Sequence, residues 1–129
     1  MVGMGFVLLA ALALTAPAPV RQTVLLPAGH VRTHFAFTVR APAFRAVRLE
    51  APHGADVRVQ AWDAHRIAGV GISTRPFVGT CKRQAKIDRC ESQIEACPAP
   101  QGRWTAFVVK RSDPPARVRV TFLFANHSG

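Results

Sequence analysis

The sequence predicts an all-β protein: an antiparallel β-sandwich of about seven to eight strands with a cysteine-bearing, partly helical loop. Three observations lead there. Apolar and polar residues alternate with a period of two in several separate runs, as half-buried strands require, because successive side chains point to opposite faces. Clusters containing Pro and Gly interrupt these runs at intervals of roughly 8–12 residues. Hydrophobic residues make up 49% of the 129-residue chain and charged residues 19%, which is enough apolar surface for one core and one domain.

The runs follow in order. Residues 20–26 form a first strand, ended by Pro27-Ala28-Gly29. Residues 31–40, VRTHFAFTVR, place Val31, Thr33, Phe35, Phe37 and Val39 on one face. Ala41-Pro42 breaks this run, and residues 44–50 resume with Val47 and Leu49 against Arg48. Pro52-His53-Gly54 is the next turn. In residues 55–62, Val57, Val59 and Ala61 share a face opposite Asp56, Arg58, Gln60 and Trp62. Residues 67–73 are a weaker run, whose glycines suggest a bulge or a close backbone approach. Residues 103–110 and 117–124 are strong strands flanking the turn Arg111-Ser112-Asp113-Pro114-Pro115-Ala116.

The N-terminus reads differently. FVLLAALAL (residues 6–14) is an apolar run followed by Thr15-Ala16-Pro17-Ala18, too short for a bilayer span of ~20 residues. The expectation is a signal peptide over residues 1–18, a β-sandwich domain over 19–129, and a secreted, extracellular product without a transmembrane segment in its mature form. The run departs from the export pattern in two respects: MVGMG carries no Lys or Arg, and Pro19 follows the A-x-A site ending at Ala18. Ala11-Leu12-Ala13 is the other cleavage candidate, and a buried N-terminal helix or strand is the competing reading.

Three cysteines, Cys81, Cys90 and Cys97, in an exported chain suggest one bridge and one remaining thiol. The favoured pairing is Cys90–Cys97, whose short loop would lead into Pro98-Ala99-Pro100; Cys81–Cys97 is second. Ile87, Cys90, Ile94 and Cys97 recur at helical spacing, yet seven residues of helix would hold the two Cα atoms ~10 Å apart, beyond disulfide reach. One or two helical turns in a long loop reconcile the two readings.

The formal charge is +10, carried mostly by arginine, whose planar fork suits phosphate and carboxylate groups. Arg117 and Arg119 with Arg32, Arg40, Arg48 and Arg58 are candidate polyanion-binding residues, forming a basic stripe across one sheet that would attract anionic polymers in a salt-sensitive way. A merely solvated, Arg-rich surface is the bland alternative.

No chemistry-bearing motif emerges. The chain contains no G-x-S-x-G elbow, no H-E-x-x-H, no glycine-rich phosphate loop, no Tyr and seven carboxylates. No enzyme activity, metal or cofactor is expected: the zinc spacings C-x-x-C and H-x-x-x-H are missing. Asp56 and Asp63 could lie near one another across a turn at Trp62 and hold calcium with loop carbonyls. Calcium takes about 6–8 oxygens, however, and no D-x-D-x-D-G loop supplies them, so an ordinary solvated pair is the expectation. The scattered histidines, His34 among them, are expected in solvent. Trp62 is a candidate ligand-stacking residue because it opposes Val57 and Val59; the face of Trp104 is open, and packing in a core is the commoner fate of a strand tryptophan. Asn126-His127-Ser128 matches the N-glycosylation pattern.

With the strands laid out, the chain resembles the small sandwich domains of secreted bacterial peptidases, the pre-peptidase C-terminal type. Leu26-Pro27-Ala28-Gly29 leading into residues 34–39, then residues 55–59, 102–109 and 116–124, carry the resemblance. The segment between Cys81 and Cys97 departs from that pattern. The resemblance implies a non-catalytic, secreted accessory or binding module. The segment from Cys90 to Trp104 also resembles secreted actinobacterial proteins, which implies no activity. The expected function is therefore binding of an anionic cell-envelope or extracellular polymer, with no specific nucleic acid. The alternative is a protein-interaction module, such as a protease partner or inhibitor, acting through the Cys90 to Pro100 loop.

Overall fold

The computed structural model describes residues 17–75, 80–94 and 99–125. The expected signal segment falls almost wholly on residues outside these, and Cys97 and the Asn126 glycosylation pattern lie outside them entirely. Among the described residues nine strands form two antiparallel sheets: β1 (Val20–Leu26), β2 (Val31–Val39), β3 (Phe44–Pro52), β4 (Val57–Asp63), β5 (Gly69–Ser73), β6 (Thr80–Gln84), β7 (Ile87–Gln93), β8 (Gly102–Lys110) and β9 (Ala116–Phe124). One sheet has the order β1-β9-β3-β7-β6 and the other β2-β8-β4-β5. The architecture is the expected β-sandwich. No helix among the described residues is long and apolar enough to cross a membrane.

The period-two runs become the two inner faces. Val47, Leu49, Val118, Val120 and Phe122 line the five-stranded side, and Val57, Val59, Ala61, Trp104, Ala106 and Val108 line the four-stranded side, all nearly inaccessible to solvent. Phe37 stacks on Phe122 with centroids 4.4 Å apart, and Phe44 meets the Trp104 ring edge-on at 5.0 Å. Trp104 is thus a core residue, and its indole N–H, which burial would otherwise strand, donates to the Pro100 carbonyl at 2.8 Å. Phe44 and Val47 both face inward although three positions apart. A register shift between Phe44 and Ala46 against β9 inserts one extra residue and reverses the alternation, as a β-bulge does.

Among the described residues the cysteine-bearing segment is not helical. Residues 80–84 and 87–93 form a β-hairpin, β6–β7, with Lys82 opposite Arg89 and Gln84 opposite Ile87; Ala85 takes a positive φ of 58° in the two-residue turn. The apparent helical spacing of Ile87, Cys90 and Ile94 is overridden because β7 completes the five-stranded sheet by pairing with β3 along residues 46–52. The same hairpin corrects the disulfide. Cys90 is bonded to Cys81, not to Cys97, because the antiparallel register sets Cys81 and Cys90 directly opposite each other, where side chains on the same face meet.

The turns are tied as well. At Pro52 to Ala55 the Ala55 N–H donates to the Pro52 carbonyl at 3.0 Å, and Gly54, at φ 86°, supplies the positive φ that a type II turn needs at its third position. Lys110 is fully buried; its ammonium donates to the carbonyls of Gly29 at 2.5 Å, Ser112, and Asp113 at 3.4 Å, joining the β1–β2 turn to the β8–β9 turn.

Candidate functional site

The six arginines expected to form one stripe divide between the two outer faces of the sandwich. Arg48, Arg117 and Arg119 lie on the five-stranded sheet, and Arg32 and Arg58 on the four-stranded sheet. Arg40 is exposed just beyond the end of β2. Alternation places a residue on one face of its own strand, but only the pairing order tells which sheet that strand joins.

On the five-stranded sheet one row of outward side chains runs Thr23, Arg119, Glu50, Arg89, Lys82, and the next runs Arg21, Thr121, Arg48, Glu91, Thr80. Arg117 stands one step further, paired with Leu25. Both carboxylates on this face among the described residues, Glu50 and Glu91, are engaged. Arg48 donates to Glu91 Oε1 through Nε at 3.0 Å and Nη2 at 2.7 Å, while Gln93 donates to Glu91 Oε2 at 2.5 Å. Glu50 lies 3.3 Å from Arg89 Nε and 3.8 Å from Arg119 Nη1. Arg21, Lys82 and Arg117 make no ion pair among the described residues. Arg48, Thr80, Lys82, Arg83, Gln84, Arg89 and Glu91 surround an open depression of about 550 Å³, and a smaller hollow of about 90 Å³ lies among Thr23, Glu50, Ile87, Arg117 and Arg119. Leu25 and Ile87, at 74% and 47% exposure, flank the Arg117–Arg119 end.

On the four-stranded sheet the outward rows are Arg32, Val109, Arg58, Ser73; then His34, Phe107, Gln60, Gly71; then Ala36, Thr105, Trp62, Gly69; with Thr38 opposite Arg103 at the end. No Asp or Glu occupies these rows. His34 and Phe107 have centroids 6.1 Å apart, and the Arg66 guanidinium sits 5.9 Å from the Phe107 centroid, within cation–π range. The Arg66 backbone N–H donates to the Asp63 carbonyl at 3.1 Å, and the Asp63 carboxylate ties the rest of the loop. That carboxylate is buried at the end of β4 and accepts from the Ala68 N–H at 2.8 Å and the His65 N–H at 3.2 Å, closing the β4–β5 loop. The Ala68 hydrogen bond, with lesser help from the other loop amides and against the effect of burial, holds its carboxyl below the usual carboxylate range.

Asp56 and Asp63 do not approach each other: β4 is extended between them, so no chain reversal occurs at Trp62. A second polar pair lies at the rim, where His53 Nδ1 and Asp88 Oδ1 are 2.8 Å apart. Burial pushes the Asp88 carboxyl up, but the hydrogen bonds of His53 and the Gly54 N–H and the charges of His53 and Arg83 outweigh it, leaving it below the ordinary value. Among the described residues no cluster of His, Cys, Asp or Glu is suited to a metal ion.

The Cys90 to Pro100 segment is not a free loop where it is described. Cys90 to Gln93 belong to β7, the Ile94 N–H donates to the Arg45 carbonyl at 2.9 Å, and the Ala99 N–H donates to the Pro42 carbonyl at 2.7 Å. The sequence reading missed Arg21, Lys82 and Arg89 on one face and Arg103 and Phe107 on the other. Lys82 and Arg89 were hidden by the helical spacing of their segment; the rest alternate visibly, and only their sheet was unknown.

No protein-family model matches the chain, and no curated protein matches it.

Proposed function

We propose that the protein is an exported, non-catalytic binding module for an anionic polymer, and that it binds through the outer face of the five-stranded sheet. One observation carries this reading. On that face, among the described residues, Arg21, Arg48, Lys82, Arg89, Arg117 and Arg119 stand against Glu50 and Glu91, and both carboxylates are already neutralised by their arginine neighbours. The remaining positive charge is spread over adjacent strands rather than gathered at one point, which suits a chain of anions more than a single ion. The open depression beside Lys82 and Arg89 gives such a chain a place to lie. The Cys81–Cys90 bridge is compatible with an oxidising compartment, where structural disulfides persist.

The test is binding of long-chain polyphosphate, measured by calorimetry between about 50 and 200 mM salt. The logarithm of the binding constant should fall linearly with the logarithm of salt concentration, and the double variant Arg117→Glu/Arg119→Glu should bind more weakly with a shallower slope. Both side chains are exposed, so the melting temperature should hardly move. Affinity indifferent to salt and to the double charge reversal would overturn the reading.

A further inference from the structure

We propose that the outer face of the four-stranded sheet is a second, separate binding surface, for an acidic polysaccharide whose sugar rings stack on Trp62 while its carboxylates meet Arg103, Arg58 and Arg32. The argument begins at Gly69. A Cβ there would lie 2.8 Å from Cε3 and 2.9 Å from Cζ3 of Trp62, so the six-membered ring of the indole lies across the glycine backbone, on a strand partner that has no side chain to push it away. The rest of its row is low. Thr105 pairs with Trp62 on one side and Ala36 lies beyond Thr105. Trp62 is half-buried, neither covered like Trp104 nor fully open, and no ring or cation among the described residues stacks on it. A large aromatic face seated flat on a sheet, with small neighbours around it, is a platform for the apolar face of a ring.

The surroundings narrow the class of ligand. Gln60, two residues along β4, and Thr105 offer hydrogen-bond donors and acceptors beside the platform, as a hydroxyl-rich ring requires. Arg103 lies on the neighbouring strand two residues from Thr105, a diagonal distance of about 7–8 Å. Arg58 is four residues back along β4, roughly 13 Å away, with Arg32 in the same row. No carboxylate in these rows competes for them. Arginine pairs with carboxylates in a two-pronged geometry, and the span from Trp62 to Arg58 calls for an oligomer rather than a single sugar. A single-stranded nucleic acid would want successive open rings for its bases. Here Phe107, in the next row, has Arg66 over its ring and His34 tilted against it, which leaves Trp62 as the open indole platform among the described residues and favours the sugar.

The two tryptophans make the test direct, because Trp104 is buried at 1% exposure and only Trp62 is open to acrylamide. Oligogalacturonate should protect the quenchable part of the fluorescence and bind in the same titration. Trp62→Ala should weaken that binding about tenfold, Trp62→Phe should restore most of it, and Arg58→Glu/Arg103→Glu should weaken it further. Arg117→Glu/Arg119→Glu, on the opposite face, should leave the acrylamide protection of Trp62 unchanged even where it lowers the total uptake of anion, so this surface and the polyphosphate-binding face stand or fall separately. The proposal is overturned if Trp62→Ala, in the Arg117→Glu/Arg119→Glu background, binds as that background does, if neutral oligosaccharides bind as tightly, if fluorescence shows no protection, or if oligothymidylate protects Trp62 more strongly than oligogalacturonate.

Discussion

Replacing Lys110 by Met tests what holds the two turns at one end of the sandwich together. Methionine keeps the length and apolar stem of the side chain and removes only the ammonium. The side chain is wholly inaccessible, and its hydrogen bonds to the carbonyls of Gly29 and Ser112 are part-buried. A buried carbonyl left without a donor costs about 1–3 kcal/mol, so two close ones would cost about 2–6 kcal/mol. Against this stands the cost of keeping an ammonium out of water, which the substitution removes. Several acceptors converge on Nζ, including the more distant Asp113 carbonyl, so the hydrogen bonds should win, with a net loss of about 2–3 kcal/mol. For a domain of this size that corresponds to a fall in melting temperature of roughly 10 °C. The Gly29 N–H to Asp113 carbonyl bond at 2.7 Å should survive and limit the damage. Urea unfolding with scanning calorimetry measures both quantities. A Met variant as stable as the parent, or more stable, would refute the reasoning and make the buried ammonium a net burden.

Two further outcomes follow from the same structure. Cys81→Ser removes a bridge between residues nine apart in sequence, and the chain entropy of so short a loop predicts a loss of about 2–3 kcal/mol. Non-reducing peptide mapping should recover Cys81 joined to Cys90; a Cys90–Cys97 peptide would disprove the hairpin register. Asp63 has a carboxyl pKa below its unfolded value of 3.8, so the unfolded chain takes up a proton first as pH falls. Its contribution is therefore full above pH 3.8 and lost as pH drops through the lower folded value. Asp63→Asn should be less stable than the parent at pH 7, and urea midpoints should show the gap narrowing in acid.

Much of the fold was legible because a half-buried strand writes its geometry into the chain. The residues 31–39, 57–62 and 117–124 alternate as their strands do, and the predicted β1 has the observed bounds. The β6–β7 hairpin was not legible. Ile87, Cys90 and Ile94 satisfy a helical spacing, and β7 is a strand because β3 offers it a complementary edge. The bulge at Phe44 to Ala46 was equally hidden, since it exists only as a mismatch with β9. Of the candidate site residues, Trp62 was readable as outward-facing from Val57 and Val59, whereas the division of the arginines between two faces was not.

Local alternation and turn chemistry are properties of neighbouring residues, so the sequence by itself determined an all-β sandwich, most strand positions, and which side of its own strand each arginine takes. Pairing joins residues far apart in the chain. Only the tertiary structure decided that Cys81 meets Cys90, that Arg48, Arg117 and Arg119 share one face while Arg32 and Arg58 share the other, and that Gly69 lies beneath the ring of Trp62. The physical reason is that register and strand order are set by how two whole sheets fill one core, and no short window of residues contains that information.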